Sequence, residues 1–561
     1  MRLSVYSILR KDIIVRQGVT LRLNMNNAPT SFSYVPYKET GFFSHLVNDY
    51  LEGHPELSNF YTHTPDEAGL AAAIDERANY PVDRKLLVNT LTAQYEQLNK
   101  YGNTEQNIQL LLSENTFTVC TAHQPNLMTG YLYFVHKILH AIKLAEELNA
   151  KYPDKHFVPV YYMGSEDNDL EELGKFRFRG DKYVWDGDGQ KGAVGRMNTA
   201  GLKKMLAGLF RMFGPPGKNC DDLQQIISEA YLEHKTIGSA TQYLVNELFG
   251  RYGLVILDPD DTGLKSQFVN VMEDELLHQH ALPILTEQIN ALGKQYQIQA
   301  HPRGINLFYL NDQLRERIEK HGERWVVLNT DITWTKEDLL AELQQHPERF
   351  SPNVMLRGLF QETILPDVAF IGGGAEVAYW LQLKTLFAHY GVFYPAILLR
   401  QSVQVINGQQ AKQRQQAGLS IADIFKSEEE LIKEYIATHG DNKWQTGEEE
   451  KALANIFAQL KEKATTLDPT LTAATEAVLT KMKYQLAVLE KKMLRAEKRK
   501  LEIPLERLRR LKASLFPNHS LQERTDNFMD YYLDMGPEFF NTVKDGILPL
   551  GKEFLVIEQQ Y

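Results

Sequence analysis

The sequence predicts an α/β protein: a doubly wound parallel sheet with inserted segments, followed by an α-helical coiled-coil domain. Three observations carry this reading. Short buried-strand patterns, rich in β-branched residues, recur between about 115 and 400. Polar or glycine-rich turns follow them and lead into helical patterns. Beyond about 405 the composition shifts toward Ala, Glu, Lys, Leu and Arg, with apolar residues at heptad spacing.

The elements follow in order. Residues 1–110 read as a mostly helical lead into the core after a strand-like start, MRLSVYSILRKDIIV. Phe42 to Leu51 and Lys85 to Gly102 carry apolar residues at helical spacing, the second closed by Gly102 and Asn103. TFTVCTA, Thr116 to Ala122, is a buried strand that enters the turn HQPNLMTG. A helix follows from Tyr131 to about Tyr152, then a second strand, HFVPVYYMG, ending in SEDNDLEEL. Strand, turn, helix, strand is a βαβ unit, the seed of a parallel sheet. Further strands lie in YGLVILDPDD, PDVAFIGGG and VFYPAILLR. The core thus spans 111–405, with insertions near 175–250 and 290–345. Residues 406–515 form the coiled-coil domain. Its seam runs through Leu479, Met482, Leu486, Leu489, Met493 and Ala496, after an earlier helix carrying Leu453, Ile456 and Leu460. Pro469 caps the start of the second helix, and Pro504 bends or restarts it. The reading is a helical hairpin or a dimerising coiled coil. Residues 516–561 end in a short strand returning to the core.

Bulk properties narrow the function. The chain has 561 residues, roughly three or four folding units. It is 43% hydrophobic and 24% charged with net charge −11, which disfavours both disorder and a broad grip on nucleic acid. Cys120 and Cys220 are its two cysteines, so neither a disulfide framework nor a zinc site is evident, and a cytoplasmic setting follows. No secretory signal or membrane span is predicted: the uncharged stretch Asn115 to Val135 contains His123, Gln124, Pro125 and Asn126.

Candidate chemistry clusters at strand ends, where parallel sheets bind ligands. In the turn after the first strand, His123, Gln124, Asn126 and Thr129 supply polar groups, Gly130 permits close approach, and Lys137 sits just inside the helix. The same turn also reads as an ordinary helix cap. Glu166, Asp167, Asn168 and Asp169 can hold Mg2+, grip a substrate amine or accept its proton, or simply start a helix. Gly372, Gly373 and Gly374, with Glu376, Tyr379 and Trp380, suit an anion cradle or close helix packing, but they match neither a Walker loop nor a clean dinucleotide fingerprint. Asp258 is a candidate ribose or adenine contact, and Arg400 a counter-charge for phosphate.

AHQPNLMTGYLYFVHKI, VPVYYMGSEDNDLEEL and the segment from His346 to Lys384 together resemble the cysteine ligase family of bacillithiol biosynthesis, BshC. The resemblance spans nearly the whole chain. Tyr131 stands where relatives usually carry Pro. The resemblance implies a Rossmann-like core, a coiled-coil homodimer, binding of ATP or another adenine nucleotide, and amide formation between L-cysteine and glucosaminyl-malate. On that basis Glu166, Asp167 and His123 are the expected catalytic residues. Gln124, Asn126, Thr129, Gly130, Lys137 and Asp258 are expected at the nucleotide. Asn168, Asp169, Gly372 to Gly374, Glu376, Tyr379, Trp380 and Arg400 are expected at the substrates. Activation through an acyl-adenylate or an acyl-phosphate stays open, since His123 and His136 are too far apart for a HIGH-type pair. Two rivals share these features: a synthetase-like enzyme for another small acid and amine, and a non-catalytic nucleotide-binding scaffold.

Overall fold

A computed structural model describes residues 30–440 and 444–560. The strand-like start lies outside the described residues. The chain divides into two units, one of residues 32–405 and 520–557, the other chiefly of 406–519.

The larger unit is built on a five-stranded parallel sheet: β1 (Thr116–His123), β2 (His156–Met163), β3 (Val255–Leu257), β4 (Asp367–Gly372) and β5 (Ala396–Leu399). Its spatial order is β5-β4-β1-β2-β3, all neighbours parallel. The order reverses between β1 and β4, and the crevice at such a switch point is where this topology binds ligands. Strands buried on both faces must be apolar throughout, and every residue of β1 but His123 is buried. The helix α1 (Leu132–Lys151) returns the chain from β1 to β2. Its inner face, Ala141, Leu144, Ala145 and Leu148, packs on Phe117, Val119 and Phe157 of the sheet.

The interval from β3 to β4 contains α2 (Val269–Leu277), α3 (Ala281–Leu292) and an antiparallel five-stranded sheet between Leu307 and Pro352. Then come α4 (Val354–Ile364), α5 (Gly374–Trp380) after β4, and α6 (Lys384–Tyr390). In the lead segment the helix Arg84–Gln94 ends well before Gly102, and Gly102 opens the next helix, Gly102–Leu110. Gly102 was expected to stop a helix. Its backbone is not left-handed, so it supplies no such stop. Near the end of the chain Leu555 N donates to Ser402 O at 2.9 Å, pairing the final strand with the segment after β5.

The smaller unit has its own core, in which Leu431, Ile432, Ile436, Leu505 and Leu508 meet. Its long helices are α7 (Gly447–Leu467), α8 (Leu471–Lys500) and α9 (Glu502–Leu515). Asp468 and Pro469 make the turn between α7 and α8, and the chain restarts at Glu502 with Pro504 in the first turn, where its missing N–H costs nothing. Ion pairs Lys461–Glu476 and Lys483–Glu450 cross between α7 and α8 and fix them as an antiparallel hairpin. The heptad seam is split. Leu479, Leu486 and Met493 are half-buried, whereas Met482, Leu489 and Ala496 are exposed. No described helix is long and apolar enough to cross a membrane.

Candidate functional site

A cleft of about 690 Å³ lies at the carboxyl edge of the parallel sheet. All five strands reach it just beyond their ends, through Gln124, Gly164, Pro259, Gly373 and Arg400. Lys137, Arg315, Arg357, Arg400 and Arg524 bring positive charge to its wall, while Glu166, Asp167, Glu172 and Glu376 bring negative charge.

The switch point is strapped shut at its base. Lys137, on α1, donates to Ala122 O at 2.9 Å and pairs with Glu376 on α5. Glu376 in turn accepts the Gly373 N–H at 2.8 Å and so caps its own helix. Burial pushes the Lys137 amine below its ordinary range, and Glu376 pulls it back up. The glycines before α5 serve this approach. A Cβ on Gly372 would sit 2.8 Å from the Glu376 Cβ.

The acidic turn after β2 is matched by cations. Glu166 pairs with Lys265, which is wholly buried and also donates to Phe350 O at 2.8 Å. Asp167 accepts from Gln124 Nε2 at 3.0 Å and lies 3.7 Å from Arg315. Arg315 stacks 4.0 Å over Phe308 and holds Asn168 Oδ1 at 3.1 Å. Asp169 caps the short helix Leu170–Leu173 through Glu172 N. His123 packs edge-on against Tyr133 and Phe134, and its buried Nε2 has no partner. Burial first, then Lys137, depress its pKa, so the imidazole is neutral.

Several expected residues lie behind the wall. Met128, Thr129 and Gly130 occupy three consecutive left-handed conformations, at φ 52°, 63° and 67°. Such a loop is strained unless its surroundings hold it. Here Tyr231 accepts from Met128 N at 2.9 Å, and Asn527 donates to Met128 O and Gly130 O at 2.8 and 2.6 Å. The side chains of Asn126 and Thr129 are buried. Trp380 is fully buried against Phe370, while Tyr379 borders the cleft.

Asp258 also lies behind the wall, accepting from Ser165 Oγ and, at 3.1 Å, from Asp260 N, both on Oδ1. Burial, with Asp260 adding to it, pushes its pKa up to about 7 from 3.8. A raised carboxyl value stabilises the fold at low pH and withdraws that stability as pH rises through it. Asp258→Asn keeps the acceptor Oδ1 and removes the titration. Its melting temperature should be flatter than wild type across pH 5–8. At the alkaline end it should be more stable, by on the order of 2 kcal/mol after discounting for partial exposure.

Residue patterns alone do not single out Arg357, Arg315 or Lys265. Arg357 is the most informative. It rises from α4 between buried Leu356 and Leu359, donates to the Tyr379 hydroxyl, and forms no ion pair among the described residues, although Glu376 acts on it through space. A lone cation on an apolar helix is the signal that would have marked it. Arg400, by contrast, is held by Glu523 through bonds of 2.6 and 2.8 Å.

The family described as "Bacillithiol biosynthesis BshC, N-terminal Rossmann-like domain" matches residues 31–401, and "Bacillithiol biosynthesis BshC, C-terminal coiled-coil domain" matches 403–559. A protein of Christiangramia forsetii named "Putative cysteine ligase BshC" is 41% identical over 534 residues, covering 93% of this chain and 98% of its own. The like-named Flavobacterium johnsoniae protein is 40% identical over 527 residues, 93% and 99% of the two chains. That of Bacillus cytotoxicus is 27% identical over 514 residues, 89% and 95%.

Proposed function

Because the chain belongs to the BshC family of bacillithiol biosynthesis, we propose that it is an ATP-dependent ligase joining the carboxyl of L-cysteine to the amine of glucosaminyl-malate. The observation that carries this reading is the switch-point cleft, which Arg357, in no ion pair among the described residues, lines together with Glu166 and Asp167. A carboxylate and an amine do not condense unaided, and ATP supplies the activation. The fit to a polyphosphate rests on Arg357, with Arg400 and Arg524 on the same wall. Guanidinium groups so placed stabilise charge that builds on phosphate and carbonyl oxygens. Glu166 and Asp167 hold the cysteine ammonium or the incoming amine. Neutral His123 accepts a hydrogen bond from the amine as it attacks, and the proton the amine loses passes on to water in the cleft. Gln124, Gly373, Gly374 and Tyr379 orient the substrates, while Asn126, Thr129, Gly130, Asp258 and Trp380 keep the wall in shape. Lys265 and Arg315 already neutralise Glu166 and Asp167, so these carboxylates orient the amine by accepting its N–H groups rather than by net charge, and the same neutralisation does not suit a resident Mg2+. The compartment proposed is the cytoplasm.

The test is the small-thiol content of cells lacking the gene, by mass spectrometry. Bacillithiol should vanish and glucosaminyl-malate accumulate. The wild-type gene should reverse both, and Glu166→Gln/Asp167→Asn should not. Unchanged bacillithiol in the deleted strain, with no second ligase present, would overturn the substrate assignment in favour of another acid and amine.

We also propose a homodimer through the exposed edge of α8, at Met482, Leu489 and Ala496, since an apolar seam left in water favours association. Met482→Glu with Leu489→Glu should halve the mass seen by light scattering. An unchanged mass would remove this edge from the interface.

A further inference from the structure

We propose that Asp274, His280 and His389 bind a divalent first-row transition ion at a site separate from the cleft. Asp274 lies in the last turn of α2, His280 at the start of α3, and His389 in the last turn of α6. These elements come together only in the fold, since His389 is more than a hundred residues from the other two. None of the three residues lines the cleft.

The donor atoms of the three lie within 4.8 Å of one another. His280 Nδ1 is 3.0 Å from both carboxylate oxygens of Asp274. Two ligands on a tetrahedral zinc ion sit about 3.3 Å apart, given metal–ligand bonds near 2.0–2.1 Å. A few tenths of an ångström therefore separate the Asp274–His280 pair from a coordination sphere, and the exposed His389 side chain has up to about 1.5 Å to close. The rings of His280 and His389 have centroids 5.4 Å apart and meet at 65°. Two imidazoles and one carboxylate suit zinc, nickel or copper, whereas Mg2+ and Ca2+ call for oxygen throughout. Three protein ligands leave a position for water.

The frame around the site is already built. The Tyr390 hydroxyl donates to Asp274 Oδ2 at 2.7 Å and orients the carboxylate from behind, as an outer-shell partner does. Gln288 on α3 donates to Leu381 O at 2.6 Å and accepts from Thr385 N at 3.0 Å, so α3 and α6 are joined beneath the donors. His280 and His389 are exposed, which gives an ion access. Other titratable groups nearby are His278, stacked 5.5 Å from His280, and Glu275, which is buried and bonded to Asn306. A bound ion would pin the end of α6, which follows the cleft helix α5, to the turn between α2 and α3.

The test uses the full chain after chelator treatment and dialysis. Zn2+ is titrated in competition with a chromophoric chelator, and melting is followed with and without Zn2+. The expected result is one ion per chain and a rise in melting temperature. Both should be lost, with affinity falling at least about tenfold, in His280→Ala/His389→Ala. Because both histidines are exposed, this variant should match the metal-free wild type in melting. Co2+ in place of Zn2+ should give a visible absorption spectrum without thiolate charge transfer. Equal Zn2+ binding by wild type and variant, or no binding by wild type, would overturn the proposal and leave His280 as a hydrogen-bond donor to Asp274.

Discussion

Glu523→Ala is expected to destabilise the larger unit by about 3–5 kcal/mol, read as a lower midpoint in urea unfolding. The carboxylate is wholly buried. It accepts two bonds from Arg400, one from Ser402 Oγ at 3.0 Å and one from Val403 N at 3.3 Å, and lies 3.3 Å from His136 Nδ1. Truncation leaves a buried guanidinium without its counter-ion, and that penalty exceeds the worth of any single lost bond. Burial pushes the Glu523 carboxyl up, but Arg400 and His136 pull harder and hold it well below its ordinary value of 4.5. For a depressed carboxyl the stabilisation is complete above 4.5 and fades as pH falls through the lower folded value. Acid should therefore narrow the gap between wild type and variant. Glu523→Gln, which keeps the shape and loses the charge, should fall between them. A variant as stable as wild type at neutral pH would mean that water replaces the carboxylate without cost.

Arg357→Gln should lower kcat of ligation by about 10²–10³, the effect of removing one preorganised charge donor from a site of this kind. Stability should change little, since the guanidinium's one hydrogen-bond partner, the Tyr379 hydroxyl, can turn to solvent in the cleft. The split between constants matters. A rise in KM with kcat unchanged would make Arg357 a binding group that acts equally in the ground and transition states. Arg357→Lys should recover part of the rate, because it restores charge without the planar fork. Unaltered kcat and KM would remove Arg357 from the site and weaken the ligase reading with it.

The parallel sheet was legible because its strands are buried on both faces. TFTVCTA has no solvent side to blur its pattern, and the polar residues that end each strand mark the ligand edge. The antiparallel sheet between Leu307 and Pro352 was not. One of its strands, LRERIEKH, has a single buried residue, Ile318, and reads as a charged loop. At the site, His123, Glu166, Asp167 and Glu376 were visible because they sit beside strands with a clear signature. Arg357, Lys265 and Glu523 lie in helical or irregular segments; for the last two, the Coulomb and hydrogen-bond partners that give them meaning are far off in sequence, since 99 residues separate Lys265 from Glu166 and 123 separate Arg400 from Glu523. Gly102 misled because glycine marks a helix end only where the backbone turns left-handed.

The clamp on the left-handed loop also has a consequence during synthesis. Asn527 lies 399 residues beyond Met128. At about 5–20 residues per second, a ribosome adds the clamp roughly 20–80 s after the loop has been made. Glu523, the anchor of Arg400, arrives with it. In the last part of that interval, once β5 has been made, the nascent chain carries the whole parallel sheet without the two groups that hold its ligand edge in shape. Closing so long a loop is slow relative to pairing neighbouring strands. The growing polypeptide should thus remain inert toward its substrates, and vulnerable to proteases at residues 126–130, until translation has passed Asn527.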